Sequence, residues 1–140
     1  MNNLFTALQL INTFIFIAIS GIHFYWAFGG KLGVNAVIPQ ILGKSAFKPS
    51  FLATIIVAFA MVVAAWLSWR PTIGNSDSIL IYGNLAVAII FLIRAIGDFK
   101  YVGFTKKIKD SIFAKNDTNY YSPLCLIISA IAIFIYWQTR

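Results

Sequence analysis

Residues 51–69 read FLATIIVAFAMVVAAWLSW, a continuous apolar segment without one charged side chain. The hydrocarbon core of a bilayer, about 30 Å thick, is crossed by a helix of about 20 mainly apolar residues. The segment therefore predicts a membrane-spanning helix. The composition agrees, since the chain of 140 residues is 60% hydrophobic and 11% charged, whereas soluble domains contain roughly 25% charged residues.

Three further segments have a similar apolar character. The last of them is the shortest, but Ser122 and Pro123 offer an N-cap and a first-turn proline for its helix. We predict an all-α fold, an integral membrane four-helix bundle that forms a single transmembrane domain over residues 1–140. The three segments lie at about residues 4–28, 79–99 and 121–137.

The first segment has an alternative interpretation as a cleaved signal peptide. Ala18 and Ser20 precede Gly21 in a loose match to a cleavage pattern. However, the first residues of the chain include no lysine or arginine, and the apolar run continues through His23 to Trp26, beyond the point of cleavage. Both features favour a retained span.

The basic residues indicate the orientation of the chain. Lysine and arginine are retained in the cytoplasmic loops of membrane proteins, so the two lysine-rich loops are predicted to face the cytoplasm. Both termini then lie outside, in a multi-pass membrane protein. The net charge of +7 reflects this topology rather than nucleic-acid binding. The basic residues outside the spans are Lys31, Lys44 and Lys48 in the first loop, Lys100, Lys106, Lys107, Lys109 and Lys115 in the second, and Arg70 and Arg140 on the opposite face.

Each span carries small or polar residues at a spacing that places them on one helical face. Helices in lipid associate through such residues and through interhelical hydrogen bonds. The four faces are therefore expected to meet inside the bundle. They consist of Gln9, Asn12, Ser20 and His23; Thr54, Ala58, Met61, Ala65 and Ser68; Asn84, Arg94 and Asp98; and Ser122, Cys125, Ser129, Ala132 and Tyr136.

The loop between spans three and four predicts a short amphipathic helix at the membrane interface. Phe104, Ile108 and Ile112 fall on one helical face, and lysines on the others favour anionic lipid headgroups. In the first loop, the apolar residues 34–42, interrupted by Pro39, are expected to turn back toward the interface. The basic residues assigned to the interface are Lys100, Lys106, Lys107 and Lys109.

Arg94 and Asp98 are the most informative polar residues, because they lie near the inner end of the third span. An arginine keeps its charge, so inside a membrane it needs a partner or must reach the interface. At a separation of four residues, Asp98 lies on the same helical face and is predicted to pair with Arg94. The pair is either part of a functional site or a contact that fixes the rotation of the helix.

Alternating topology brings further polar and aromatic residues to the same depth. Together they predict a ligand or partner pocket that opens to the cytoplasmic leaflet. Simpler roles remain open: His23 can bond a neighbouring helix, Asp117 can cap a turn, and Cys125 can be a packing residue. The pocket residues are His23, Tyr25, Trp26, Arg94, Asp98, Asp117 and Tyr121.

Several known constellations are missing from the sequence. One cysteine allows neither an internal disulfide nor a cysteine metal cluster, and one histidine does not suffice for bis-histidine haem ligation. No glycine-rich phosphate loop, HExxH helix or nucleophile elbow occurs. No metal site is predicted, and the sequence assigns neither a cofactor nor a catalytic residue.

Three stretches carry a family resemblance: HFYWAFGG at residues 23–30, RAIGDFKYVGF at residues 94–104 and YSPLCL at residues 121–126, with Phe113, Ala114 and Asp117 between the last two. In these stretches the chain resembles a bacterial family of small four-span membrane proteins known only as a domain of unknown function. The likeness extends over nearly the whole chain. It implies the four-helix fold and a place in the bacterial inner membrane but no activity, and it gives no residue a role.

These features favour an accessory membrane protein whose pocket binds a lipid or another amphiphile. Membrane lipids, a larger membrane complex or a second copy of the chain are the expected partners. One alternative is a membrane-embedded enzyme for an isoprenoid or lipid, in which His23 or Asp117 transfers a proton and Arg94 holds an anionic headgroup. Another is a small proton-coupled transporter, disfavoured because charge lies only at one edge of the spans.

Overall fold

The fold is that of a computed structural model, which describes residues 2–73 and 77–140. Within that part of the chain, four helices are long and apolar enough to cross a membrane. The predicted helical architecture is confirmed, with one addition, a short β-hairpin. The elements are α1 (Asn2–Ala27), α2 (Val34–Val37), β1 (Gln40–Ile41), β2 (Lys44–Ser45), α3 (Phe51–Trp69), α4 (Ser78–Ile96), α5 (Ile112–Asn116), a π-helical turn (Asp117–Tyr121) and α6 (Ser122–Thr139).

The fourth long helix begins earlier than predicted, because α5, the π-helical turn and α6 follow one another without a break. Ser111 caps its start, since Ser111 Oγ accepts a hydrogen bond from the Ala114 amide at 3.0 Å. Ser122 is itself helical, so its predicted role as the N-cap is wrong. Pro123 has no N–H to donate, and the wider π-helical turn before it carries the helix past this point.

The third long helix ends earlier than predicted, at Ile96 rather than at Phe99. Gly97 adopts a φ of 97°, which turns the chain out of the helix. Residues 97–111 then form an irregular loop, and the short helix predicted around Phe104, Ile108 and Ile112 is not confirmed. Helical structure resumes only at Ile112, with α5.

Two antiparallel helix pairs form the bundle: α1 packs on α3, and α4 packs on α6. In each pair a buried serine bonds a carbonyl of the partner helix, because Ser20 Oγ donates to Ala58 O and Ser129 Oγ donates to Ala88 O, each at 2.8 Å. Most of the small and polar residues predicted to face inward are buried. The pairs meet at a core of Phe16, Ala64, Ala65, Val87, Ala88, Ile128 and Ala132.

A cluster of buried amides lies at the other end of the bundle from α5. Asn12 and Asn84 are fully buried. Asn12 Nδ2 donates to Ser68 Oγ at 3.4 Å, and Asn84 Nδ2 donates to the Leu67 carbonyl at 2.7 Å. That carbonyl cannot accept the usual helical bond from residue 71, because Pro71 has no N–H. The amides therefore tie α1, α3 and α4 together.

The hairpin lies in the connection between α1 and α3. Its strands are antiparallel, with Gln40 opposite Ser45 and Ile41 opposite Lys44. Leu42 and the next residue, a glycine, form the turn between them. Two residues separate the hairpin from α2.

Candidate functional site

Asp117 is fully buried and lies at the centre of the predicted site. Its Oδ1 accepts a hydrogen bond from Arg94 Nη2 at 2.9 Å. Its Oδ2 accepts bonds from the Gly103 amide at 2.7 Å and from Lys106 Nζ at 3.0 Å. We call these four residues the Asp117 cluster. The cluster joins the end of α4, the loop after it and the start of the fourth long helix.

Lys106 belongs to this cluster and not to the membrane surface. Its side chain is almost completely buried. Nζ donates to Gly103 O at 2.9 Å, to Asp117 Oδ2 at 3.0 Å and to Thr118 Oγ1 at 2.6 Å. Three acceptors match the three protons of an ammonium group. The assignment of Lys106 to a lipid-facing surface is therefore wrong, whereas Lys100, Lys107 and Lys109 are exposed.

Asp98 shapes the loop after α4. Its Oδ1 accepts bonds from the amides of Lys100, Tyr101 and Val102 at 2.7 to 3.0 Å. Burial raises the pKa of the Asp98 carboxyl, but the bonds from the Val102, Lys100 and Tyr101 amides lower it by more, so the pKa lies below its ordinary value. Asp98 thus acts as a cap for three successive backbone amides.

The predicted pairing of Arg94 with Asp98 is wrong. The spacing argument requires a helix that continues through Asp98, but α4 ends at Ile96 and Gly97 turns the chain away. Arg94 instead pairs with Asp117, which is 23 residues further along the chain. This ion pair joins α4 to the fourth long helix.

Arg94 has unused hydrogen-bonding capacity. Its side chain is 32% exposed. Among the described residues, Arg94 Nη1 and Ser122 Oγ are buried without a hydrogen-bond partner. The ion pairs of the Asp117 cluster also set two cations against one carboxylate, which leaves one positive charge uncompensated inside the cluster. Buried donors and a surplus cation favour the binding of an anion.

The aromatic side chains at the end of α1 bond the turn that follows this helix. Trp26 Nε1 donates to the Leu32 carbonyl at 2.8 Å, and the Tyr25 hydroxyl accepts from the Leu32 amide at 3.4 Å. His23 Nδ1 lies 2.8 Å from Ile19 O, so Nδ1 carries the proton that it donates. The His23 ring also packs edge-on against Trp26, with centroids 5.3 Å apart. These bonds fix the turn after α1.

Tyr121 connects the first loop to the start of the fourth long helix. It ends the π-helical turn that begins with Asp117. Its hydroxyl donates to the Ala36 carbonyl in α2 at 3.1 Å, and its ring packs against the buried Phe113. The structure thus brings Arg94 and Asp117 together and places Tyr121 beside them, whereas Asp98 and the aromatic end of α1 bond other partners.

Sequence reasoning missed several members of the site. Gly103 and Thr118 bond Asp117 or Lys106 through groups that have no sequence signature. Lys106 was indistinguishable from the lysines around it. Among the described residues, no group of three or more His, Cys, Asp or Glu side chains could hold a metal ion.

Comparison with known proteins gives a family match. A family model described as "Protein of unknown function (DUF3995)" matches residues 16–132, a range that includes the whole Asp117 cluster. No curated protein and no solved structure matches the chain.

Proposed function

Because this chain belongs to the DUF3995 family of proteins of unknown function, we propose a function from its own geometry: a non-catalytic membrane protein that binds an anionic amphipathic ligand, such as a phospholipid, beside the Asp117 cluster. In this proposal the four long helices cross the cytoplasmic membrane. The ends of α1 and α4 and the loops that follow them face the cytoplasm, as the lysine distribution favours.

The single observation that carries the proposal is the charge balance of the Asp117 cluster. Arg94 and Lys106 share one carboxylate, and Lys106 has all three of its protons bonded. Arg94 is the residue with spare donors, since its Nη1 has no acceptor among the described residues. A phosphate or carboxylate group at the exposed part of the Arg94 side chain, which is 32% exposed, neutralises the surplus charge, and guanidinium groups bind such oxygens in pairs.

The surface around Arg94 is amphipathic, which points to a lipid rather than to a small soluble anion. Lys100, Lys107 and Lys109 are exposed on the loop that contains Lys106 and attract anionic headgroups. Large apolar side chains are exposed on the same loop, among them Phe99 and Phe104. A ligand with a charged head and an apolar tail satisfies both kinds of surface.

Asp117 does not support the enzymatic alternative. It is fully buried and held by three donors, an arrangement that stabilises a fixed carboxylate. A general base must offer its oxygen to a substrate proton at hydrogen-bond distance. The geometry of Asp117 therefore favours an architectural role within a binding site.

The test measures the anionic lipid that remains with the protein. Wild type, Arg94→Gln and Arg94→Lys are purified in mild detergent from phosphatidylglycerol-containing membranes, and bound lipid is quantified by native mass spectrometry. We expect retention to fall several-fold in Arg94→Gln and to recover in part in Arg94→Lys, which keeps the charge but not the bidentate geometry.

Arg70→Gln is the matched control. Arg70 is exposed and directly follows the last residue of α3, at the end of the bundle away from Arg94. Circular dichroism and a thermal unfolding curve establish that each variant is folded. Equal retention of phosphatidylglycerol by folded Arg94→Gln, Arg70→Gln and wild type contradicts the proposal.

A further inference from the structure

The hairpin between α1 and α3 has an unusual turn. Leu42 and Gly43 connect β1 to β2 and have φ angles of 50° and 76°. Two-residue hairpin turns with positive φ at both positions prefer Asn or Asp followed by Gly. A leucine at the first position is strained, because its Cβ approaches the following carbonyl in the left-handed conformation. The Leu42 side chain is nevertheless 99% exposed.

If the turn lies in water, leucine at position 42 is unfavourable for two reasons: its backbone is strained and its apolar side chain is exposed. Asparagine would fit the backbone better and would be solvated, whereas leucine gains nothing from water. Ile41 and Phe47 are also exposed, so the apolar surface extends along both sides of the turn. The residue choice is favourable if the turn lies in an apolar environment.

The base of the hairpin is closed by its own backbone, and the segment before it is bonded to the start of the fourth long helix. The Ala46 amide donates to the Pro39 carbonyl at 2.8 Å, and both Ile38 and Pro39 are buried. Tyr121 anchors the preceding α2 through its bond to Ala36. The turn is therefore held at the same end of the bundle as the Asp117 cluster, where an apolar side chain can reach the adjacent leaflet.

Charge identifies what surrounds the hairpin. Residues 29–50 include three lysines and no acidic residue. Lys44 and Lys48 are exposed, and Lys44 directly follows the turn. An apolar tip flanked by lysines matches the boundary between acyl chains and anionic headgroups. The binding groove of a protein partner would require no such basic flanks.

From these observations we infer that the hairpin is a membrane anchor. Ile41 and Leu42 enter the acyl region of the leaflet at this end of the bundle, and Lys44 and Lys48 contact anionic headgroups. The anchor rests on the membrane embedding of the helices, but it does not depend on a ligand at Arg94. It holds the long first loop against the membrane surface.

Fluorescence quenching tests the depth of the turn. Leu42→Cys in a Cys125→Ala background is labelled with bimane and reconstituted in vesicles of phosphatidylcholine and phosphatidylglycerol. We expect lipids brominated on their acyl chains to quench this label strongly. Iodide should quench it several-fold less than a label at Asp110→Cys, the control position, where an exposed charged residue is replaced. Equal iodide quenching at both positions, without quenching by brominated lipid, overturns the inference.

A second test separates insertion from folding. Leu42→Asn suits the turn better, so its thermal unfolding temperature in detergent should equal or exceed that of wild type. In vesicles with this face outward, trypsin should cleave after Lys44 several-fold faster in Leu42→Asn than in Leu42→Met, which keeps an apolar tip. Equal cleavage rates for the two variants contradict the anchor.

The outcomes are independent of the proposed function. A label at residue 42 that lies in lipid, together with unchanged lipid retention in Arg94→Gln, supports the anchor and removes the ligand site. A water-exposed label at residue 42, together with reduced lipid retention in Arg94→Gln, supports the ligand site and removes the anchor.

Discussion

Gly97 and Gly103 lie backbone against backbone at the start of the loop after α4, with φ angles of 97° and 82°. A Cβ on Gly97 would overlap the Val102 carbonyl, and a Cβ on Gly103 would overlap the Ile96 carbonyl and the Cα of Gly97. Glycine alone permits this approach. The contact places the Gly103 amide where it donates to Asp117.

Gly103→Ala should therefore destabilise the fold strongly. The new methyl group meets backbone that cannot move aside, in addition to the strain of a positive φ, and we expect a loss of about 3 kcal/mol of unfolding free energy. Gly29→Ala is the matched control, because Gly29 has a φ of 92° but open space around its Cβ position. That variant should lose only about 1 kcal/mol. Denaturant unfolding in detergent measures both, and equal losses would show that the glycine contact is unimportant.

Because Lys106 is buried, its replacement should lower the unfolding free energy much more than replacement of its neighbour Lys107. Lys106→Met leaves Asp117 and Thr118 without the donor that they share, and removal of one member of a buried ion cluster costs about 3 kcal/mol. Lys107 is exposed, so Lys107→Met should change the unfolding free energy by less than about 0.5 kcal/mol. The comparison uses the same denaturant curves. Similar values for the two variants are incompatible with the buried ammonium.

The four long helices were predictable because their signal is local. Apolar length alone identifies a segment such as residues 51–69. The ends were less predictable, because they depend on single backbone conformations. Gly97 ends α4 through a positive φ, and the π-helical turn before Pro123 extends the fourth helix backwards. Neither effect appears in a hydropathy pattern.

The partner of Arg94 could not be found from spacing. An aspartate four residues away satisfies the helical rule, but the rule assumes a continuing helix. The true partner, Asp117, is brought near by a 15-residue loop, residues 97–111, whose path is set by Gly97, Gly103 and the cap at Asp98. A long-range ion pair of this kind depends on the fold of the loop.

Lys106 shows a similar limit. Residues 106, 107 and 109 are all lysines, and composition assigns them one role as topology signals. Burial of Lys106 follows from the tight turn at Gly103, whose carbonyl accepts from the ammonium at 2.9 Å. A sequence pattern cannot distinguish one buried lysine within such a group.

The lowered pKa of Asp98 predicts a pH dependence at acidic pH. A carboxyl whose pKa is lower in the folded state stabilises the fold above its unfolded pKa, and this contribution is lost as the pH falls through the folded value. The stability difference between wild type and Asp98→Asn should therefore be constant at neutral pH and should shrink once the pH falls below the ordinary value of 3.8. The effect is small, because the carboxyl is largely exposed. Thermal unfolding of both proteins across this pH range measures it, and a difference that grows on acidification contradicts the cap.

The amide of Asn84 should contribute more to stability than the hydroxyl of Ser129, although both are buried and both bond a helix carbonyl. Ala88 O lies inside α4, where it also accepts the ordinary helical bond, so Ser129→Ala removes only an additional donor and should cost about 0.5 kcal/mol. The Leu67 carbonyl lacks that bond, because Pro71 has no N–H. Asn84→Leu leaves it unpaired in an apolar environment, and we expect a loss of about 1.5 kcal/mol. Reversible unfolding in mixed micelles compares the two variants, and a larger loss for Ser129→Ala would show that Asn84 is not the donor on which the end of α3 depends.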